Sequence, residues 1–128
     1  MTVIGPRRGA WLMAVGRIGL GAAVLAAPEA ITSRWLGEGH ARLPVAGALA
    51  RSVGARDIAI GVAILATLDD SVVGPRVQAA CAGVDGVDAL ATVIARKHLP
   101  RAGVLGTVAI AGGAALTGLY FSRRLAHA

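Results

Sequence analysis

Asp85 and Asp88 stand three residues apart in a stretch otherwise built of Ala, Gly, Val, Leu, Cys, Gln and Thr. On a helix that spacing puts two carboxylates on one face. In apolar surroundings both stay ionised only when cations compensate, so such a pair either binds positive groups or holds a proton. Cations are available within other apolar stretches: Arg17, Arg51 and Arg56, with Asp57 as a further acid. Around the two acids, Gln78, Cys81, Asp85, Asp88 and Thr92 follow an i, i+3, i+7, i+10, i+14 pattern. At about 100° per residue they share a stripe about 80° wide. The opposite face, Ala80, Val84, Val87, Ala91 and Ile94, is wholly apolar.

The elements that position these residues follow from composition. The chain has 128 residues, of which 55% are hydrophobic and only 16% charged, with a mean hydropathy of +0.67. This lies on the membrane side of ordinary soluble domains. A helix needs about 20 apolar residues to cross roughly 30 Å of hydrocarbon. The sequence therefore predicts an all-α fold, a single-domain four-transmembrane-helix bundle with short loops that occupies residues 1–128. Its helices are expected over about 11–27, 44–68, 75–97 and 102–121. Pro28 ends the first, and the polar connection from Glu29 to Arg42 has room for a short interfacial helix using Ile31, Trp35 and Leu36. Gly47, Gly54 and Gly61 recur every seven residues on the second, a smooth face for close packing.

Charge and residue usage exclude several functions. The net charge of +6 is carried by basic residues paired at the ends of apolar stretches (Arg7 and Arg8, Arg96 and Lys97, Arg123 and Arg124). That is how headgroup-facing flanks look, and no basic face interleaved with aromatics is present to bind nucleic acid. Cys81 is the only cysteine, so neither an internal disulfide nor a thiolate metal cluster forms. His40, His98 and His127 fall outside the apolar spans, which leaves no ligand set for a metal, and nothing calls for a cofactor. Trp11 opens the first span and Tyr120 and Phe121 close the last, so four crossings put all three at one interface. Basic residues outside the spans divide five against five between the two sides (Arg7, Arg8, Arg76, Arg123, Arg124; Arg34, Arg42, Arg96, Lys97, Arg101), which fixes no orientation.

Three buried arginines face three buried aspartates, the balance that mutual pairing requires. At about 1.5 Å per residue, Arg51 and Asp88 both lie roughly 10–12 Å from the membrane face of the first connection, whereas Arg17, Arg56 and Asp57 lie at about 20 Å. The expected contacts are Arg51 with Asp88 and Asp85, and Arg17 with Asp57. Arg56 points away from the Gly47, Gly54 and Gly61 face, toward a second packing surface or a partner subunit.

Three functions fit this inventory. The ion pairs could fix helix order in an accessory subunit of a homo-oligomer or larger membrane complex. They could bind or carry a lipophilic or proton-coupled small molecule. They could also serve a cofactor-free membrane enzyme, an isomerase, cyclase or epoxide-opening hydrolase, with Asp85 or Asp88 as acid or base and Arg51 stabilising an oxyanion. All three place the chain in the cell membrane as a multi-pass protein whose partner is the lipid bilayer. Cys81 has no histidine at its depth and reads as a packing residue rather than a nucleophile.

The segments Arg17-Ile18-Gly19-Leu20-Gly21, Gly54-Ala55-Arg56-Asp57 followed by Gly61, and Val84-Asp85-Gly86-Val87-Asp88-Ala89 resemble a widespread set of small four-helix membrane proteins from bacteria with GC-rich genomes. More distantly the chain is similar to the DoxX-type four-helix proteins. The resemblance implies a four-helix membrane fold and carries no activity with it.

Overall fold

The structure, a computed structural model, describes residues 5–127; residues 1–4 and 128 lie outside it. Six α-helices follow one another: α1 Pro6–Ala26, α2 Pro28–Leu36, α3 Glu38–Ala41, α4 Pro44–Thr67, α5 Val73–Ile94 and α6 Arg101–Leu125, with a 3₁₀ turn at Arg96–His98. No strand occurs among the described residues. Prolines punctuate the chain as their missing N–H dictates. Pro6, Pro28 and Pro44 open α1, α2 and α4, Pro75 sits in the first turn of α5, and Pro100 immediately precedes α6. Gly37 bends the chain between α2 and α3 with φ of +84°, a conformation open to glycine.

The four long helices coincide with the four expected spans, with shifted ends. α1 begins at Pro6 instead of Trp11, and α6 runs on to Leu125, which takes Arg123 and Arg124 into its last turn. Basic residues there are stabilised by the carbonyl end of the helix dipole. α1, α5 and α6 are long and apolar enough to cross a membrane. α4 has the length, 24 residues, but carries Arg51, Arg56 and Asp57 within it.

Packing is inverted relative to a water-soluble bundle. Among the described residues, seven of the eleven buried hydrophobic side chains are alanines, and the largest fully buried side chains are Gln78 and Thr32. The bulky apolar residues lie outside: Leu116 is 73% exposed, Ile94 and Leu105 71%, and Val87 65%. Such a surface is poorly matched to water and well matched to acyl chains, which leave small residues to build helix contacts. This is the construction of a membrane protein.

Two helix pairs make up the bundle. In the first, α1 lies against α4 with little between the backbones: a Cβ on Gly54 would stand 2.8 Å from the Gly21 carbonyl oxygen, and one on Gly61 2.7 Å from that of Ala14. In the second, α5 lies against α6, where Gly118 meets Ala82 and the Ser122 hydroxyl donates to the Pro75 carbonyl at 2.7 Å. The pairs touch each other at two ends. Gly9 of α1 is covered by the Phe121 ring of α6 at one end, and Gly103 of α6 lies against the Trp35 backbone of α2 at the other. From Gly9 the contact between the pairs continues through an apolar cluster of Ala14, Ile64 and Cys81; from there toward Gly103 they separate around a cavity.

Candidate functional site

The separation holds the charged residues. Arg17 on α1 donates to Asp57 on α4 at 3.1 Å and to Asp85 on α5 through its other terminal nitrogen. Arg56 on α4 forms a two-pronged pair with Asp88 on α5, at 3.1 and 2.6 Å, and approaches Asp57 at 3.5 Å. The Arg17–Asp85 and Arg56–Asp88 bonds cross from one helix pair to the other, where apolar packing is thin. Directional, paired charges thus hold the gap.

Burial divides the network in two. The Arg17, Asp57 and Asp85 side chains are 9%, 12% and 6% exposed, so this trio is closed on itself. Arg56 and Asp88 are 35% and 34% exposed. That exposure opens onto a cavity of about 500 Å³ between the helix pairs, within the roughly 300–1,000 Å³ usual for small-molecule sites. All five charged groups line one part of it. Leu20, Val24, Ile31, Trp35, Val53 and Ile110 supply most of the remaining wall, with Thr92 and Thr107 as the hydroxyl groups. Leu20 of α1 and Ile110 of α6 in this wall are 43% and 66% exposed. The cavity therefore opens sideways between α1 and α6.

Most expected site residues are brought together, but not all. Arg17, Arg56, Asp57, Asp85, Asp88 and Thr92 line the cavity. The Thr92 hydroxyl is committed to the Asp88 carbonyl of its own helix at 2.8 Å. Gln78 and Cys81 are buried on the same stripe but away from the cavity. Gln78 contacts the Met13 sulfur at 3.8 Å, and Cys81 packs with Ala14 and Ile64 in the apolar core.

Arg51 corrects the expected pairing. It is exposed, lies beside Gly47 on its own helix, and forms no ion pair among the described residues; Arg56 holds Asp88 and Arg17 holds Asp85. Depth alone matched Arg51 to Asp88, but Arg51 and Arg56 are five residues apart and so about 140° apart around the helix. Only one of them can face α5. Gly54 and Gly61 turn toward α1, and that rotation aims Arg56 at the gap. An oxyanion-stabilising role for Arg51 beside Asp85 or Asp88 consequently has no geometry.

The wall residue that sequence reasoning assigned elsewhere is Trp35. Its place in α2 was legible as interfacial; that α2 folds back over the cavity against α6 depends on Gly103, whose bare backbone admits the Trp35 carbonyl. Among the described residues, no group of His, Cys, Asp and Glu is arranged to hold a metal ion. No protein-family model, curated protein or solved structure matches the chain.

Proposed function

We propose that the chain is a multi-pass protein of the cell membrane in which α1, α4, α5 and α6 all cross, and that it binds a small lipophilic molecule between its two helix pairs. α4 crosses because it lies antiparallel along α1 and matches its length. Two of its charges, Arg56 and Asp57, are neutralised within the bundle. The third, Arg51, is seven residues from the start of α4, about 10 Å of rise, within reach of an interface by a snorkelling side chain. Trp11 and Tyr120, 49% and 52% exposed, then lie at one membrane face. The four-helix resemblance noted above agrees with this reading.

The observation that carries the binding function is the half-exposed Arg56–Asp88 pair at the edge of a laterally open apolar cavity. Enclosing an ion pair costs desolvation, and this one is left about a third exposed, where a bound molecule can reach it. The closed Arg17, Asp57 and Asp85 trio favours a second role beside the first, as the clamp that keeps the pairs in register.

Trp35 provides the test. A Trp11→Phe variant leaves Trp35 as the sole indole, since the chain holds two tryptophans. In lipid nanodiscs, 1-bromonaphthalene should quench it saturably, and Ala114→Phe, which fills the cavity wall, should convert that to the linear quenching of simple partitioning. Linear quenching in both proteins would sink the binding reading.

A further inference from the structure

The charges around the cavity do not balance. Two cations, Arg17 and Arg56, face three carboxylates, Asp57, Asp85 and Asp88, a formal sum of 2 − 3 = −1. Wall by wall, α1 contributes Arg17, α4 Arg56 and Asp57, and α5 Asp85 and Asp88, whereas α2 and α6 contribute only uncharged side chains. Arg51, which would restore neutrality, is turned to another face. An uncompensated charge in apolar surroundings is costly, and such sites respond by taking up a proton or a counter-ion.

Asp88 is the carboxylate that a molecule in the cavity reaches. Its side chain is 34% exposed toward the cavity, against 6% for Asp85 and 12% for Asp57. The cavity beyond it has apolar walls and an indole, Trp35. An inorganic cation would find too few oxygen ligands there, and an anion would meet a negative floor. A positive group attached to an apolar body satisfies both parts, with the indole face as a further attraction for the cation.

Resting on the reading of this cavity as a binding site, we propose that it takes a lipophilic cation, an organic ammonium or other onium ion with an apolar body, in exchange for one proton shared by the cluster of Asp57, Asp85 and Asp88. The balance closes: the proton leaves the carboxyl cluster for bulk water as the cation enters, and the site is neutral before and after. No covalent bond other than O–H changes.

The experiment uses the full-length Trp11→Phe protein in phosphatidylcholine nanodiscs. Tetraphenylphosphonium and tetraphenylborate, matched in shape and opposite in charge, are titrated against Trp35 emission, with empty nanodiscs correcting for partitioning. The cation should bind saturably and the anion should not. Affinity for the cation should rise by about tenfold per pH unit while the site is protonated, with close to one proton released per cation into a weakly buffered, dye-monitored solution. In Asp88→Asn the floor becomes two against two, so affinity should fall about tenfold or more and proton release should vanish. Asp88→Glu keeps the charge and should keep the exchange. Cation binding that is independent of pH and releases no proton overturns the proposal, as does preferential binding of the borate. If 1-bromonaphthalene saturates the cavity and the phosphonium does not, the exchange inference alone fails; if neither saturates, the cavity reading fails with it.

Discussion

Asp85 and Asp88 are the same residue type one turn apart, and their surroundings give them different consequences when altered. Asp85 is enclosed with Arg17 and Asp57, so Asp85→Asn strands part of a buried cation and should cost about 3–5 kcal/mol, read as a large drop in thermal midpoint in detergent. Asp88 shares its pair with the cavity, and solvent screening and the remaining Asp57 contact reduce the loss to about 1 kcal/mol for Asp88→Asn. The reverse order would contradict the division of the network into a closed trio and an open pair. Arg51→Ala should change stability by no more than about 0.5 kcal/mol; a loss matching that of Asp85→Asn would restore Arg51 to the network. Residue types and depths announced that buried Arg and Asp side chains would meet. The Arg17–Asp57 pair was legible from depth; that Arg56 and not Arg51 meets Asp88 was not, because the choice rests on how α4 is rotated, and that is set by its contact with α1.

At the scale of the elements, the α1–α4 interface rests on backbone contact rather than side-chain interdigitation. Gly54→Val must push α1 away from the Gly21 carbonyl and should destabilise by about 1–3 kcal/mol or more, whereas Gly47→Ala meets only the flexible end of Arg51 at 3.5 Å and should be tolerated. The seven-residue glycine repeat was visible in the sequence, yet only two of its three members form the interface, because α1 leaves α4 before Gly47 is reached. The start of α5 carries its own device. Asp70 accepts the Val73 and Val72 backbone N–H groups at 2.7 and 2.8 Å, and these bonds hold its carboxyl below the usual carboxylate range. A carboxyl depressed in the folded state contributes stability above its unfolded value, about 3.9, and loses it as pH falls through the lower folded value. Below about pH 4 the thermal midpoint of the native protein should therefore fall more steeply than that of Asp70→Ser, which keeps an acceptor without a titrating charge. Parallel curves would remove Asp70 from that role. The four long helices and their order were legible from apolar runs and prolines; the short helix α3 was not, nor were the helix ends, since α1 and α6 continue beyond their apolar segments into the flanking arginines.

For the whole molecule, the bundle is two close pairs bridged by ion pairs, open on one flank and covered at one end by α2. That flank was invisible to sequence reasoning. It depends on where the helices touch: Phe121 of α6 covers Gly9 of α1, while α2 is wedged at Gly103. The four-crossing reading places both termini on one side of the membrane, and reporter domains fused to either end should give the same compartment signal; opposite signals would remove one crossing. The even split of flanking basic residues, five on each side, leaves insertion direction to neighbouring proteins or lipids. The most direct measurement is a structure determined in lipid nanodiscs. The account predicts that α1 and α6 stay parted beside Leu20 and Ile110, with non-protein density over the Arg56–Asp88 pair. Side chains of α1 and α6 closed over that pair, leaving no space above it, would contradict it.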